Sequence, residues 1–116
     1  NPTARFGEDI ATKYLKEKGY KIIDKNFRKG YGEIDIIAIN NNTLVFVEVK
    51  TRTTLLFGGA LESIARYKQK SLIKTANFYK YTHPNLPENL RIDAVLIDIK
   101  PDKTINIEHV ENISGF

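Results

Sequence analysis

The 116-residue sequence has no cysteine, no long hydrophobic run and no internal repeat. The absence of cysteine excludes a disulfide scaffold, a cysteine zinc site and a thiol nucleophile. It also fits a reducing compartment, so we expect a cytoplasmic protein. No apolar stretch approaches the roughly 18 residues of a transmembrane helix, and no secretory signal is visible. The length suits a single domain over residues 1–116.

Composition adds one weak indication of a partner. Hydrophobic residues make up 41% and charged residues 28% of the chain, which is ordinary for a globular domain and too apolar for a disordered chain. The 18 Lys and Arg exceed the 14 Asp and Glu, for a net charge of +4. Such an excess hints at an anionic partner, but the position of the charges matters more.

The hydrophobic pattern predicts two helices and five strands in the order α-β-β-β-α-β-β. Apolar residues at spacings of three to five mark the first helix, and short β-branched runs between turn residues mark the strands. The predicted elements are helices over Arg5–Lys18 and Leu61–Tyr81 and strands over Lys21–Phe27, Glu33–Ile39, Thr43–Val49, Arg91–Ile99 and Thr104–Val110. This is an α+β layout, of the three-layer α/β type, in which two helices cover one mixed central sheet.

The strands Glu33–Ile39 and Thr43–Val49 form the predicted centre of that sheet. The three asparagines between them, Asn40–Asn42, are a strong hairpin signal. Both faces of each run are mostly apolar, which is typical of strands that are covered on both sides.

A pair of carboxylates lies inside this hairpin. If its strands pair across a four-residue loop, Asp35 faces Glu48 and Glu33 faces Lys50, whereas a slip of one residue would place these groups on opposite faces. Opposed side chains sit about 5 Å apart, and two carboxylates at that distance repel by roughly 3 kcal/mol at an effective dielectric near 20. A divalent cation would offset this repulsion, and carboxylates with several waters are typical ligands of Mg²⁺. Lys50 would then orient or deprotonate a water, or neutralise charge on a phosphate.

An ion-pair network is the alternative explanation of this cluster. Asp35 would then pair with Lys50 or Arg91, and Glu48 would lie at a solvated strand end. The sequence offers no other catalytic set, since it has neither a Ser-His-Asp arrangement nor a phosphate-binding glycine-rich loop. Its two histidines have no paired ligand spacing and fit surface or packing positions.

The residues Asp35, Glu48 and Lys50 match the D-x(n)-E-x-K arrangement of PD-(D/E)xK nucleases, which is a loose pattern by itself. The surrounding sequence is more specific, and it resembles the YraN family of small bacterial proteins, which are predicted to be endonucleases. The matching segments run in order along the chain: Gly7-Glu8, Gly32–Ala38, Val45–Arg52, Gly58-Gly59, Lys68-Gln69 and Arg91–Val95.

This resemblance implies a restriction-endonuclease-like core, similar to archaeal Holliday-junction resolvases, and a homodimer. The catalytic residues that it implies are Asp35, Glu48, Lys50 and Glu8. Of these, the three carboxylates would hold Mg²⁺ or Mn²⁺. Without the resemblance, Glu8 is explained as a solvated residue that favours the positive end of the helix dipole. We assign Glu33 to an ion pair.

A basic stretch precedes Glu88, because no acidic residue lies between Glu62 and Glu88. Arg66, Lys70 and Lys74 recur every four residues and form one ridge of the second helix. Such a ridge is often only a solvated face, but next to a metal site it favours a track for phosphates. The aromatic residues of this helix would pack inward or stack on unpaired bases. The predicted nucleic-acid-binding residues are Arg52, Arg66, Lys68, Gln69, Lys70 and Lys74.

Together these features predict a metal-dependent endonuclease that hydrolyses phosphodiester bonds of DNA, with branched or structured DNA as a candidate substrate. RNA stays an alternative, since the same fold serves both polymers, and no base-reading motif is recognisable. Two other classes stay open. One is a nucleic-acid-binding module without chemistry, and the other is a structural or interaction protein whose cluster is an ion-pair network. No membrane partner is expected.

Overall fold

The computed structural model of the chain describes residues 2–53 and 66–113, and for residues 66–68 the backbone alone. Its elements are α1 (Pro2–Glu17), β1 (Lys21–Lys29), β2 (Gly32–Asn40), β3 (Thr43–Arg52), α2 (Arg66–Thr82), β4 (Asn89–Ile99) and β5 (Ile105–Val110). The predicted order and the α+β class are confirmed. The predicted helix start at Leu61 and the loop at Gly58-Gly59 lie outside the described residues.

The helix α1 and the strands β1 to β4 are each longer than the sequence pattern predicts. α1 begins at Pro2 rather than at Arg5, because proline lacks the N–H that the first helical turn leaves unbonded. β1 continues to Lys29, which pairs with Gly32 of β2. The connection between the two strands is therefore reduced to Gly30 and Tyr31.

The five strands form one sheet in the order β1-β2-β3-β4-β5. β3 and β4 run parallel, and the other neighbouring strands are antiparallel. α2 lies in the crossover that a parallel pair requires. The centres of β2 and β3 are buried on both faces, which confirms that they are central strands.

The two helices pack on opposite faces of the sheet. On one face, Ala11 and Leu15 of α1 pack with Val47 of β3. On the other face, Leu72 of α2 packs with Phe46, because neighbouring residues of a strand point to opposite sides of the pleat. The architecture is thus helix, sheet, helix. Neither helix, in the part of the chain that the structure describes, is long and apolar enough to span a membrane.

The β2–β3 hairpin closes through a two-residue turn. Asn41 and Asn42 have φ angles of 48° and 59°, the left-handed conformation that a type I′ turn requires at both positions and that asparagine tolerates. Ile39 pairs with Leu44, as predicted, although the loop has two residues rather than four. The turn therefore fixes the register that carries the carboxylates.

Candidate active site

The β2–β3 ladder ends next to Asp35. Its last backbone pair is Ile36 with Val47, and beyond that pair Oδ2 of Asp35 accepts the backbone N–H of Val49 at 2.8 Å. The Asp35 side chain therefore accepts the hydrogen bond from Val49 in place of a backbone carbonyl. The sequence predicts that Asp35 and Glu48 face each other across the two strands, but they do not form a regular ladder pair. The Val49 hydrogen bond instead fixes where the Asp35 carboxylate lies.

The strand is also distorted on the β1 side of Asp35. Asn26 of β1 has a φ of 54°, and the paired residues of the two strands pass from Lys25 and Ile36 to Phe27 and Ile34 around it. Ile34 packs in the core beneath α2, whereas Ile36 packs in the core beneath α1. Regular alternation would keep both on one face, so Asp35 lies at a break in the pleat.

The structure brings the two predicted carboxylates together in a buried position. Asp35 and Glu48 are 9% and 5% exposed. Burial, and after it the negative charge of Glu48, raises the pKa of Asp35 to about 8. Glu8 and Glu33 raise this pKa further, and the hydrogen bond from Val49 opposes them. At neutral pH the pair therefore favours a proton or a cation.

A cavity of about 790 Å³ opens at these carboxylates, with walls from α1, β1, β2, β3 and α2. Its acidic lining residues are Glu8, Asp9, Glu33, Asp35 and Glu48, and its basic lining residues are Arg5, Lys25 and Arg28. We call the buried carboxylates Asp35 and Glu48 the floor. The three basic residues are exposed, and we call them the rim.

Two of the rim cations make ion pairs with acidic residues of the lining. Nζ of Lys25 lies 3.7 Å from Oδ1 of Asp9, and Nε of Arg28 lies 3.3 Å from Oε1 of Glu33. The ion pair assigned to Glu33 is confirmed. Its partner is Arg28 because these two residues are opposed in the β1–β2 register, whereas the β2–β3 ladder ends before Glu33 could face Lys50.

Glu8 reaches the cavity from α1. The residue before it, Gly7, has no room for a side chain, because a Cβ there would collide with Thr51 of β3. This close approach of helix and strand places Glu8 on the cavity wall. In the described ranges, 2–53 and 66–113, no three His, Asp or Glu side chains are disposed to hold one metal ion. The part of Glu8 as a metal ligand therefore stays a prediction.

The remaining predicted catalytic and binding residues of β3 lie farther along the strand. Lys50 is half-buried and is not among the described residues that line the cavity. Nε of Arg52 donates to Oδ1 of Asp98 on β4 at 3.1 Å, so part of its guanidinium is engaged within the fold. Their roles in chemistry and in nucleic-acid binding stay predictions.

The predicted basic ridge is described only in part. Lys70 and Lys74 of α2 are exposed, and Gln69 is half-buried. Arg66 and Lys68 belong to the same helix, but their side chains lie outside the described residues. The described part of this ridge therefore consists of two exposed lysines one helical turn apart.

A second polar cluster lies on β4 and β5, centred on the fully buried Asp93. Its Oδ2 is 2.8 Å from Nε2 of His109, and its Oδ1 is 2.9 Å from Nε of Arg91. Burial would raise the pKa of Asp93, but the hydrogen bonds of His109 and Arg91 outweigh it and lower the pKa. Arg91 thus pairs with Asp93, and its predicted alternative pairing with Asp35 is wrong. His109 is a packing histidine, as predicted.

Sequence reasoning missed the three rim cations. Arg5 stands at the edge of the predicted first helix, and Lys25 and Arg28 stand in or just beyond a short strand whose polar residues carried no motif. The one available signal was the basic content of Lys21–Lys29. It did not indicate which side chains would reach the cavity, because the left-handed Asn26 shifts the alternation between Lys25 and Arg28.

Comparisons with known proteins give a consistent family. Residues 7–97 match the model of the uncharacterised protein family UPF0102. A UPF0102 protein of Caldanaerobacter subterraneus is 42% identical over 107 residues, which cover 92% of this chain and 87% of that protein. A UPF0102 protein of Alkaliphilus oremlandii is 43% identical over 109 residues, covering 92% of both chains. Another, from Geobacter sulfurreducens, is 42% identical over 106 residues, covering 91% of this chain and 83% of that protein.

Proposed function

Because the chain belongs to the uncharacterised protein family UPF0102, the YraN family that its motifs resemble, we infer its activity from its own site. We propose that it is a metal-dependent endonuclease that hydrolyses phosphodiester bonds of DNA, including branched or structured DNA. Family membership supports the fold and the alignment of the motifs, whereas the proposed reaction depends on the chemistry of the floor and the rim.

The observation that carries the proposal is the contrast between the floor and the rim of the cavity. The floor holds two buried carboxylates, Asp35 and Glu48, and the rim holds exposed cations. A buried pair of carboxylates takes up a proton or a cation, and exposed cations beside it attract a polyanion. A phosphodiester strand bridged to the floor by a metal ion satisfies both requirements.

The donor set of the floor fits Mg²⁺ or Mn²⁺. Two carboxylates are hard oxygen ligands, and Mg²⁺ characteristically keeps several waters beside one or two carboxylates. The raised pKa of Asp35, about 8, reflects burial next to Glu48, and a bound cation would favour the charged form instead. When bound, such an ion supplies an activated water and stabilises negative charge on phosphoryl oxygens.

The chain's own residues have distinct parts in this proposal. Asp35 and Glu48 would hold the ion, with the Val49 N–H orienting Asp35. Lys50, one pleat beyond Glu48, would move toward the floor to help activate the attacking water or to neutralise charge on the phosphate. Rim cations such as Arg28, whose side chain is 76% exposed, would bind the flanking phosphates.

A nucleic-acid-binding module without chemistry is the second candidate. One observation favours it: within residues 2–53 and 66–113 no third acidic or histidine ligand completes the Asp35–Glu48 pair. On this alternative the rim would still bind the DNA backbone, but no bond would be cut.

Cleavage of a labelled panel tests the proposal. Four-way junction, flap, single strand, duplex and RNA would each be incubated with Mg²⁺ or Mn²⁺ and the native chain, Glu48→Ala or Lys50→Ala. Glu88→Ala, which changes an exposed glutamate outside the cavity lining, is the matched control. We expect cutting that is lost in the first two variants and kept in the control. Binding without any cutting would favour the module, and equal cutting by all variants would contradict the assignment of the site.

A further inference from the structure

A surface of alternating cations and aromatic rings joins the tip of the β1–β2 hairpin to α2. Nζ of Lys74 lies 4.3 Å from the ring centre of Tyr31, and Nζ of Lys29 lies 4.3 Å from the ring centre of Phe78. We call these four residues the hairpin surface. Each pair has one partner on the hairpin and one on the helix, so cation–π contacts connect the two elements.

The hairpin surface is held in place by close packing. A Cβ at Gly32 would collide with the hydroxyl groups of Ser71 and Thr75, so glycine allows the hairpin to lie directly on α2. The Ser71 hydroxyl donates a hydrogen bond to the carbonyl oxygen of Tyr31. The Tyr31 backbone is therefore fixed before any ligand arrives, which lowers the entropy that binding would lose.

The hairpin surface begins where the cavity ends. Gly32 and Ser71 both line the cavity. Tyr31 directly precedes Gly32 in the chain, and its carbonyl oxygen accepts the Ser71 hydrogen bond. Tyr31 therefore lies beside the part of the cavity lining that Gly32 and Ser71 form. Tyr31 is 38% exposed, so part of its side chain is open to solvent.

We propose that Tyr31, with Lys74 beside it, is a stacking platform for an unpaired base of a DNA strand next to the phosphate bound in the cavity. The inference rests on the proposed function, since the cavity must bind a DNA strand. Aromatic rings bind bases of any sequence through their faces, and cations beside them hold the backbone. Bases inside a duplex are already stacked on one another, so the platform selects single-stranded or splayed DNA.

The chain contains no tryptophan, and this allows a direct optical test of base contact. The Tyr31→Trp variant would be titrated with oligodeoxythymidylate and with an abasic strand of equal length, both with Ca²⁺ in place of Mg²⁺, so that the floor keeps a cation on its oxygen ligands while cleavage is suppressed. The Tyr81→Trp variant is the matched control, because Tyr81 is 82% exposed near the end of α2 and belongs neither to the cavity lining nor to the hairpin surface. We expect oligodeoxythymidylate to quench the fluorescence of Tyr31→Trp, the abasic strand to leave it unchanged, and Tyr81→Trp to respond to neither.

Affinity gives an independent measurement on the native chain. Tyr31→Ala should weaken binding of oligodeoxythymidylate about tenfold, as loss of one stacked base predicts, with abasic binding unchanged and Tyr31→Phe close to the native affinity. Equal quenching by both strands, equal quenching in Tyr81→Trp, or no response at all would overturn the platform. Quenching in a chain that cuts nothing would sustain the platform and overturn the nuclease. Cutting that is unchanged in Tyr31→Ala would support the nuclease and overturn the platform.

Discussion

Asp35 is held beside a second carboxylate, away from water, and this placement lowers the stability of the fold at neutral pH. Its pKa is raised to about 8 by burial and by Glu48, whereas an unfolded aspartate titrates near 3.9. Between these values the folded chain holds a proton that the unfolded chain has lost. Strongly raised carboxylate pKa values cluster at functional sites, which supports the proposed role of Asp35.

The sign of the pH dependence follows from this difference. The free energy of unfolding should fall as pH rises from about 4 to about 8 and then level off, by a few kcal/mol in all. Asp35→Asn keeps an oxygen for the Val49 N–H and removes the charge, so it should raise stability at pH 8 and abolish this part of the slope. Urea unfolding at several pH values in EDTA measures both effects. An unchanged slope in Asp35→Asn would contradict the assignment.

Asp93 is a buried carboxylate of the opposite kind, because burial raises its pKa but the hydrogen bonds of His109 and Arg91 outweigh burial and lower it. Asp93→Asn should destabilise the fold by about 3–5 kcal/mol, since it removes the fully buried charge that pairs with Arg91 and leaves that arginine only the more exposed Glu111. Asp98→Asn is a suitable control, because Asp98 also pairs with an arginine but is 26% exposed; it should cost about 1 kcal/mol or less. Thermal unfolding would compare the two, and similar losses would contradict the distinction.

At the scale of elements, α1 and β3 approach each other more closely than ordinary side chains allow. Gly7 lies against the Thr51 side chain, and this contact sets the position of Glu8 on the cavity wall. Because Gly7 has no side chain, helix and strand can pack in direct contact at this point.

Gly7→Ala should push α1 away from β3 and destabilise the fold by about 1–3 kcal/mol, as overpacking does. Thr51→Ala, which shortens the opposing side chain, should recover part of that loss in the double variant. A double-mutant cycle of urea unfolding measures this coupling. Gly30→Ala is the control, because a Cβ at Gly30 would meet nothing within 4 Å. Additive effects of Gly7→Ala and Thr51→Ala would contradict the proposed contact.

The pairing of the strands explains how far the sequence could predict the site. The register of the β2–β3 hairpin was predictable because two asparagines that tolerate left-handed φ fix it locally. The positions of the rim cations were not predictable, because Asn26 breaks the alternation of side chains between the two faces of β1. This break is visible only in the folded sheet. The Asp93–His109 contact joins residues of two strands, and no local pattern marks it.

At the scale of the whole molecule, the net charge is a modest +4, and the exposed cations of the rim stand around one cavity. Binding of a DNA strand should therefore weaken steeply with salt, as counterion release requires. Replacing a rim cation, as in Arg28→Gln, should lower the slope of log affinity against log salt by about 1. Lys100→Gln, at an exposed residue after β4, should leave the slope unchanged. Fluorescence anisotropy at several salt concentrations measures the slopes, and equal changes in both variants would contradict the location of the rim.

The parallel pairing of β3 with β4 has a consequence for the order in which the chain assembles. The strands β1, β2 and β3 are joined by short turns and make local contacts, which form early, whereas β4 can dock only after the long crossover closes. We expect Ile37→Val in β2 to slow refolding, and Ile107→Val in β5 mainly to speed unfolding, in stopped-flow experiments. Asp35 and Glu48 would then come together before α2 covers them. Their repulsion at that stage is screened by water, where it is weakest.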